Sequence, residues 1–190
     1  MTNTGNITAV FNRLILTASI FMIGAYFAVL QFGYLFMLEV FLTSRSISYF
    51  IALFFWLLGF LIGLNLKKTT NYIILLCGSI IAYYLFYFIN ILFPFKSGAL
   101  IFLGLLILIS GICPGYFFIQ FQSIYKNVKH LFFIENNGFI LGIIISLLGA
   151  INMGEWFIKF APGAMGLIAL LLSLYTIILS QHAKNNITEN

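Results

Sequence analysis

Long apolar runs divided by short polar interruptions set the pattern of this chain. Runs of that length are neither the short alternating stretches of half-buried strands nor the amphipathic stripes of soluble helices. They predict helices that cross a hydrocarbon layer. The polar opening MTNTGNITAVFNR gives way to an apolar run, 14–42, from Leu14 to Leu42. At ~1.5 Å per residue this run reaches ~40 Å, beyond the ~30 Å hydrocarbon core. It predicts one long tilted helix in preference to a helix broken near Gln31–Gly33. Five further spans are predicted at 48–66, 71–93, 99–121, 130–151 and 160–180. Lys67-Lys68 closes the second and Pro94 closes the third, while Pro114 interrupts the fourth. The last opens with Ala161-Pro162-Gly163, which suits a helix start because proline is tolerated in a first turn. The intervening NMGEWFIKF, Asn152–Phe160, reads as a short amphipathic connection lying at the outer surface of the membrane, away from the cytoplasm. The expected architecture is all-α, a polytopic membrane protein with six transmembrane helices in one bundle and a single domain over 1–190.

Composition sharpens this. Of 190 residues, 63% are hydrophobic and only 7% charged, against roughly 25% charged in a soluble domain. Too few polar groups exist to cover a water-exposed surface, and the hydrophobicity excludes a disordered chain. The net charge is +5, but the basic residues stand singly between apolar runs, which argues against nucleic acid as a partner and for membrane topology signals. Arg13, Lys67, Lys68, Lys126, Lys129 and Lys184 fall on one side and Arg45, Lys96 and Lys159 on the other. The richer side belongs in the cytoplasm, so both termini are expected there.

The chain contains no Asp, which excludes Asp-based triads and the usual magnesium and calcium loops. His130 and His182, like Cys77 and Cys113, lack metal-ligand spacing, so neither a metal nor a cofactor is expected. Both cysteines read as buried thiols. Three GxxxG patterns, Gly59/Gly63, Gly111/Gly115 and Gly138/Gly142, each place two glycines on one helix face. They serve helix packing or an interface with other membrane subunits or a homo-oligomer. Pro114 frees the carbonyl of Ser110 and predicts a kink or break. Charge inside a bilayer is costly and marks candidate sites. Glu39 and Glu135 are therefore singled out, Glu135 with Asn136 and Asn137, whose clustering suggests a protein interior or water-filled cavity. Tyr83 and Tyr87 share a face of the third span and require hydroxyl partners, either Asn90 or groups on other spans. Trp56 and Trp156 suit one mid-span and one interfacial position.

Several of these residues together resemble one family. Gly33-Tyr34-Leu35-Phe36-Met37-Leu38-Glu39-Val40, the glycines of Leu58-Gly59-Phe60-Leu61-Ile62-Gly63, the Pro114-Gly115 helix, and the spacing of Phe132, Glu135, Gly138 and Gly142 are similar to the transmembrane region of spermidine-synthase-like (aminopropyltransferase-like) bacterial membrane proteins. The resemblance implies a stand-alone membrane module in a bacterial cytoplasmic membrane, with the two Glu-bearing helices packed together in the bundle interior. Transferase chemistry is not carried over, since no dinucleotide-type glycine loop followed by an acid is present. The function expected is a non-catalytic membrane subunit that anchors or assembles with partner proteins. The alternative is a small transporter or half-transporter acting as a dimer through its intramembrane glutamates. An enzyme is not expected.

Overall fold

The computed structural model describes residues 3–41, 45–67, 69–93, 100–125 and 127–188, with residues 3–12, 41, 45, 123–124 and 179–188 described as backbone only. Lys68, Lys96 and Lys126, which enter the topology reading, lie outside the described residues, as do the side chains of Arg45, His182 and Lys184. The described residues form six α-helices and no strand: α1 (Asn3–Phe41), α2 (Arg45–Leu64), α3 (Tyr72–Leu92), α4 (Leu100–Tyr125), α5 (Val128–Met153) and α6 (Glu155–Thr188). Each is long and apolar enough to cross a membrane, and the chain is a multi-pass membrane protein. In hydrocarbon a helix satisfies its own peptide groups, which is why such runs fold this way.

Local sequence sets the helix starts. The side-chain oxygen of Asn71 accepts from the Ile73 N–H at 3.0 Å, and that of Asn127 accepts from the His130 N–H at 3.2 Å, so each caps a free end. α1 is continuous through Gln31–Gly33, and its apolar stretch is 28 residues long. α4 continues through Pro114 without a break. The largest departure lies between α5 and α6. The segment 152–160 is not a separate connection: Asn152 and Met153 finish α5, and Glu155 already begins α6. Only Gly154 interrupts the helices, at φ 55° and ψ −126°, a conformation open to glycine because it has no Cβ. Pro162 consequently sits inside α6 and not in its first turn.

α1 and α4 are the two central helices. α2 packs chiefly on α4 and α5 chiefly on α1, while α3 bridges α4 and α6, and α6 returns to α1. Between them the core is aromatic. Tyr34 meets Tyr83 and Phe86 edge-on at 5.1 and 4.8 Å, and Phe117 packs on Phe121 at 4.7 Å. Such tilted pairs add to the burial of large rings.

The glycine faces lie inside this bundle. A Cβ on Gly59 falls 3.0 Å from the Cα of Gly111, and one on Gly63 falls 3.0 Å from the Cα of Gly115. The α2 and α4 pairs therefore face each other, backbone on backbone. Gly138 and Gly142 meet α1 at Phe21, Ala25 and Ala28, and Gly24 of α1 answers at the backbone of Glu135 and Phe139. Small residues allow this approach, and dispersion between the closely packed helices rewards it.

Candidate functional site

A polar group inside hydrocarbon needs a partner, so tracing each one separates structural groups from functional candidates. Much of the interior closes on itself. The Ser110 hydroxyl donates to the Ser79 carbonyl at 3.2 Å and the Ser79 hydroxyl to the Leu76 carbonyl at 2.7 Å. Each hydroxyl has one proton. Tyr34 therefore donates to Ser110 at 2.6 Å and Tyr26 to Ser79 at 2.7 Å. This chain of bonds ties α1, α3 and α4 together. Ser19 meets Thr176 at 3.0 Å between α1 and α6.

Tyr83 has a specific assignment. Pro162 has no N–H to give the Ile158 carbonyl four residues earlier. The Tyr83 hydroxyl donates to that carbonyl at 2.7 Å, and Tyr84 donates to the Lys159 carbonyl at 3.1 Å. Asn90 is not the partner of either; its amide donates to the Phe86 carbonyl of its own helix at 2.8 Å. Tyr83 is thus a structural residue that repairs α6.

The predicted polar set does not converge. Glu135 is buried, 8% exposed, and faces α1 near Gly24. No described residue hydrogen-bonds or ion-pairs with its carboxyl group, and Lys129 is exposed. Glu39 is exposed near the other end of α1. From Gly24 to Glu39 is a rise of ~22 Å, so α1 and α5 pack together while their two carboxylates stay far apart. Asn136 and Asn137 do not share the interior with Glu135. Both are exposed, and Asn137 donates back to the Phe133 carbonyl at 2.7 Å. Trp56 is buried, while Trp156 is 64% exposed with Phe160 stacked on it and Lys159 5.8 Å above its ring. Cys113 is buried and Cys77 half-buried. Among the described residues no cluster of metal-binding side chains occurs.

Two features remain. The first is a cleft of about 510 Å³ where α1, α3 and α5 end and α6 begins, lined by Met37, Glu39, Tyr87, Ile91, Glu155 and Ile158 among others. Tyr87 donates to Oε1 of Glu155 at 3.2 Å. Two carboxylates with an apolar floor suit a cationic group carried on an apolar body. Glu155 is not among the residues that sequence reasoning singled out. Its signal was legible in principle: the only acid of the segment 152–160 lies at the same end as Tyr87 and Glu39.

The second is a groove of about 190 Å³ on the outside of the bundle, where α2 and α5 flank α1. Gln31, Phe32 and Leu35 form its floor, Tyr49 and Leu53 one wall and Phe139 the other. Gln31 lies well within its span, and no described residue hydrogen-bonds its amide. Asn136, exposed and likewise without a described partner, lies on the Phe139 side of α5 by helical spacing. No protein-family model, curated protein or solved structure matches the chain.

Proposed function

We propose that the chain is a non-catalytic membrane subunit that assembles with another membrane-embedded segment through the face formed by α1, α2 and α5. In this reading both termini are cytoplasmic and the chain works as a module of the kind its sequence resembles. One observation carries the reading: the carboxamides of Gln31 and Asn136 sit on that face inside their spans without a described partner. An amide left unpaired in an apolar medium costs about 2–7 kcal/mol, and a docked helix that supplies donors and acceptors removes that cost. The GxxxG faces do not serve this purpose, because the chain covers them itself.

The test is a photoreactive amino acid placed at Leu53 in the groove wall, with Ile81 on exposed α3 as the reference position. Irradiation of native membranes is expected to give protein adducts from position 53 and none from position 81. Adducts to lipid alone from both positions would count against assembly through this face.

The cleft with Glu39, Tyr87 and Glu155 favours the second reading, a transporter for a cationic solute. In that case Glu155→Gln and Glu39→Gln abolish uptake by membrane vesicles with the protein still folded. Unchanged uptake in both variants removes the cleft from any transport mechanism.

A further inference from the structure

We infer that the partner on the α1–α2–α5 face is a second copy of this chain, related by a two-fold axis along the membrane normal, with the Gln31 amides of the two copies paired across it. The inference rests on the assembly reading above and names its partner.

Three features of the face favour a copy over an unrelated helix. A carboxamide is self-complementary: it offers N–H donors and a carbonyl acceptor, so two amides facing each other close a ring of two hydrogen bonds. Two-fold symmetry brings each residue near the axis to its own counterpart. In a membrane it also holds the two Gln31 side chains at the same depth, where no water competes for their bonds. Gln31 occupies the middle of its face, on the floor between the flanking helices α2 and α5. A two-fold axis is expected to pass through such a position.

Next to the groove stands a ridge. Phe50 and Phe54, one position along α2 from the wall residues Tyr49 and Leu53, are 63% and 47% exposed. Their rings stack at 5.6 Å with an interplanar angle of 12°. A two-fold rotation about Gln31 carries α2 of one copy over α5 of the other. Leu147 and Ile151, a row on the Phe139 side of α5 and nearer the level of Phe54 and Phe50, since Gly142 already lies beside Ala25 and Ala28, are 44% and 79% exposed and carry no polar atom in their side chains. Ridge and row thus meet twice in one closed dimer, and the interface ends there without propagating.

Two differently tagged copies, co-expressed and solubilised in mild detergent, provide the test, with dimer affinity followed by energy transfer between labels. The wild-type tags are expected to co-purify. Gln31→Leu is expected to weaken the dimer at least tenfold, which corresponds to about 1.4 kcal/mol, and Gln31→Asn, which keeps the carboxamide, to restore part of it. Thermal unfolding of each variant's monomer shows whether the bundle itself is intact; because Gln31 lies at the lipid side, the Leu variant is expected to unfold with the wild type. Cysteines at Phe54 in one copy and Leu147 in the other are expected to cross-link between copies, and Cys77 on α3 is not. If the tags do not co-purify while position 53 still cross-links to a different membrane protein, the second-copy inference fails and the assembly reading stands. If neither occurs, both fail.

Discussion

Replacing Gly63 of α2 with alanine tests whether backbone contact holds α2 on α4. A Cβ there falls 3.0 Å from the Cα of Gly115 and 2.9 Å from the Tyr116 nitrogen, and it overlaps the Ile112 carbonyl. Ordinary carbon contacts lie near ~3.5–4.0 Å, so the helices must separate by about 0.5–1 Å at the crossing, and a gap of that size forfeits roughly a quarter to a half of each contact along the seam. Overpacking of this kind costs about 1–3 kcal/mol. Alanine also returns about 0.5–1 kcal/mol, because glycine in a helix interior is entropically unfavourable. Gly78 of α3 isolates that second effect, since a Cβ there meets nothing within 4 Å. Gly78→Ala is therefore expected to be neutral or stabilising by up to ~1 kcal/mol, and Gly63→Ala to melt below it by a margin worth about 1–3 kcal/mol. Unfolding in detergent can be followed with a thiol-reactive dye, because Cys113 is fully buried and reacts only when the bundle opens. If Gly63→Ala melts with or above Gly78→Ala, the glycine contacts do not hold α2 in place.

Four further outcomes follow from the same structure. Gly154→Ala should destabilise by about 1–2 kcal/mol, since the residue sits at φ 55° with open space around it, and an unchanged melting point would contradict a strained turn. Tyr83→Phe should cost about 0.5–1.5 kcal/mol by stranding the Ile158 carbonyl, whereas in a Pro162→Ala background, where residue 162 regains its N–H, the same change should cost measurably less; a double-mutant cycle with no coupling would refute the link. Glu135→Gln should leave the fold as stable as the wild type or more so, since the carboxyl group is buried without a described partner, and a loss above ~2 kcal/mol would mean that the carboxylate itself is held by the fold. Single cysteines replacing Lys67 and Lys129 should be labelled from the cytoplasmic face and one replacing Lys159 from the other, while labelling of positions 67 and 129 from opposite faces would overturn the topology.

Hydropathy made the six helices legible, because in lipid the backbone has few other ways to satisfy its own donors and acceptors. The glycine spacings were legible too, but not their destinations, since spacing fixes a face and says nothing of what meets it. The sequence misled most at 152–160. Asn152, Glu155, Trp156 and Lys159 are residue types common at a membrane surface and all are exposed, yet interfacial composition is compatible with helix, and a single glycine sufficed to turn the chain. Pro162 misled for a related reason. A proline inside a helix reads as a defect until Tyr83, on a different helix, is seen to bond the carbonyl it frees. The candidate site was less legible still. Asn136 and Asn137 were grouped with Glu135 by adjacency, although one step along a helix turns a side chain ~100° away. Gln31 entered the sequence reading only as the less favoured place for a break in α1, because a lone amide acquires meaning only when its surroundings are known.

The backbone-to-backbone seams also constrain how the molecule is made. α2 finds its glycine partner in α4, and α1 finds its own in α5, so neither of the first two segments to emerge from the ribosome can be matched with the next. Each must wait in the insertion machinery or the bilayer, its small-residue face uncovered, until two or more later segments have been synthesised. A nascent chain arrested before α4 is therefore expected to be a substrate for membrane proteolysis. Folding of this protein is set by the arrival of its last helices and not of its first.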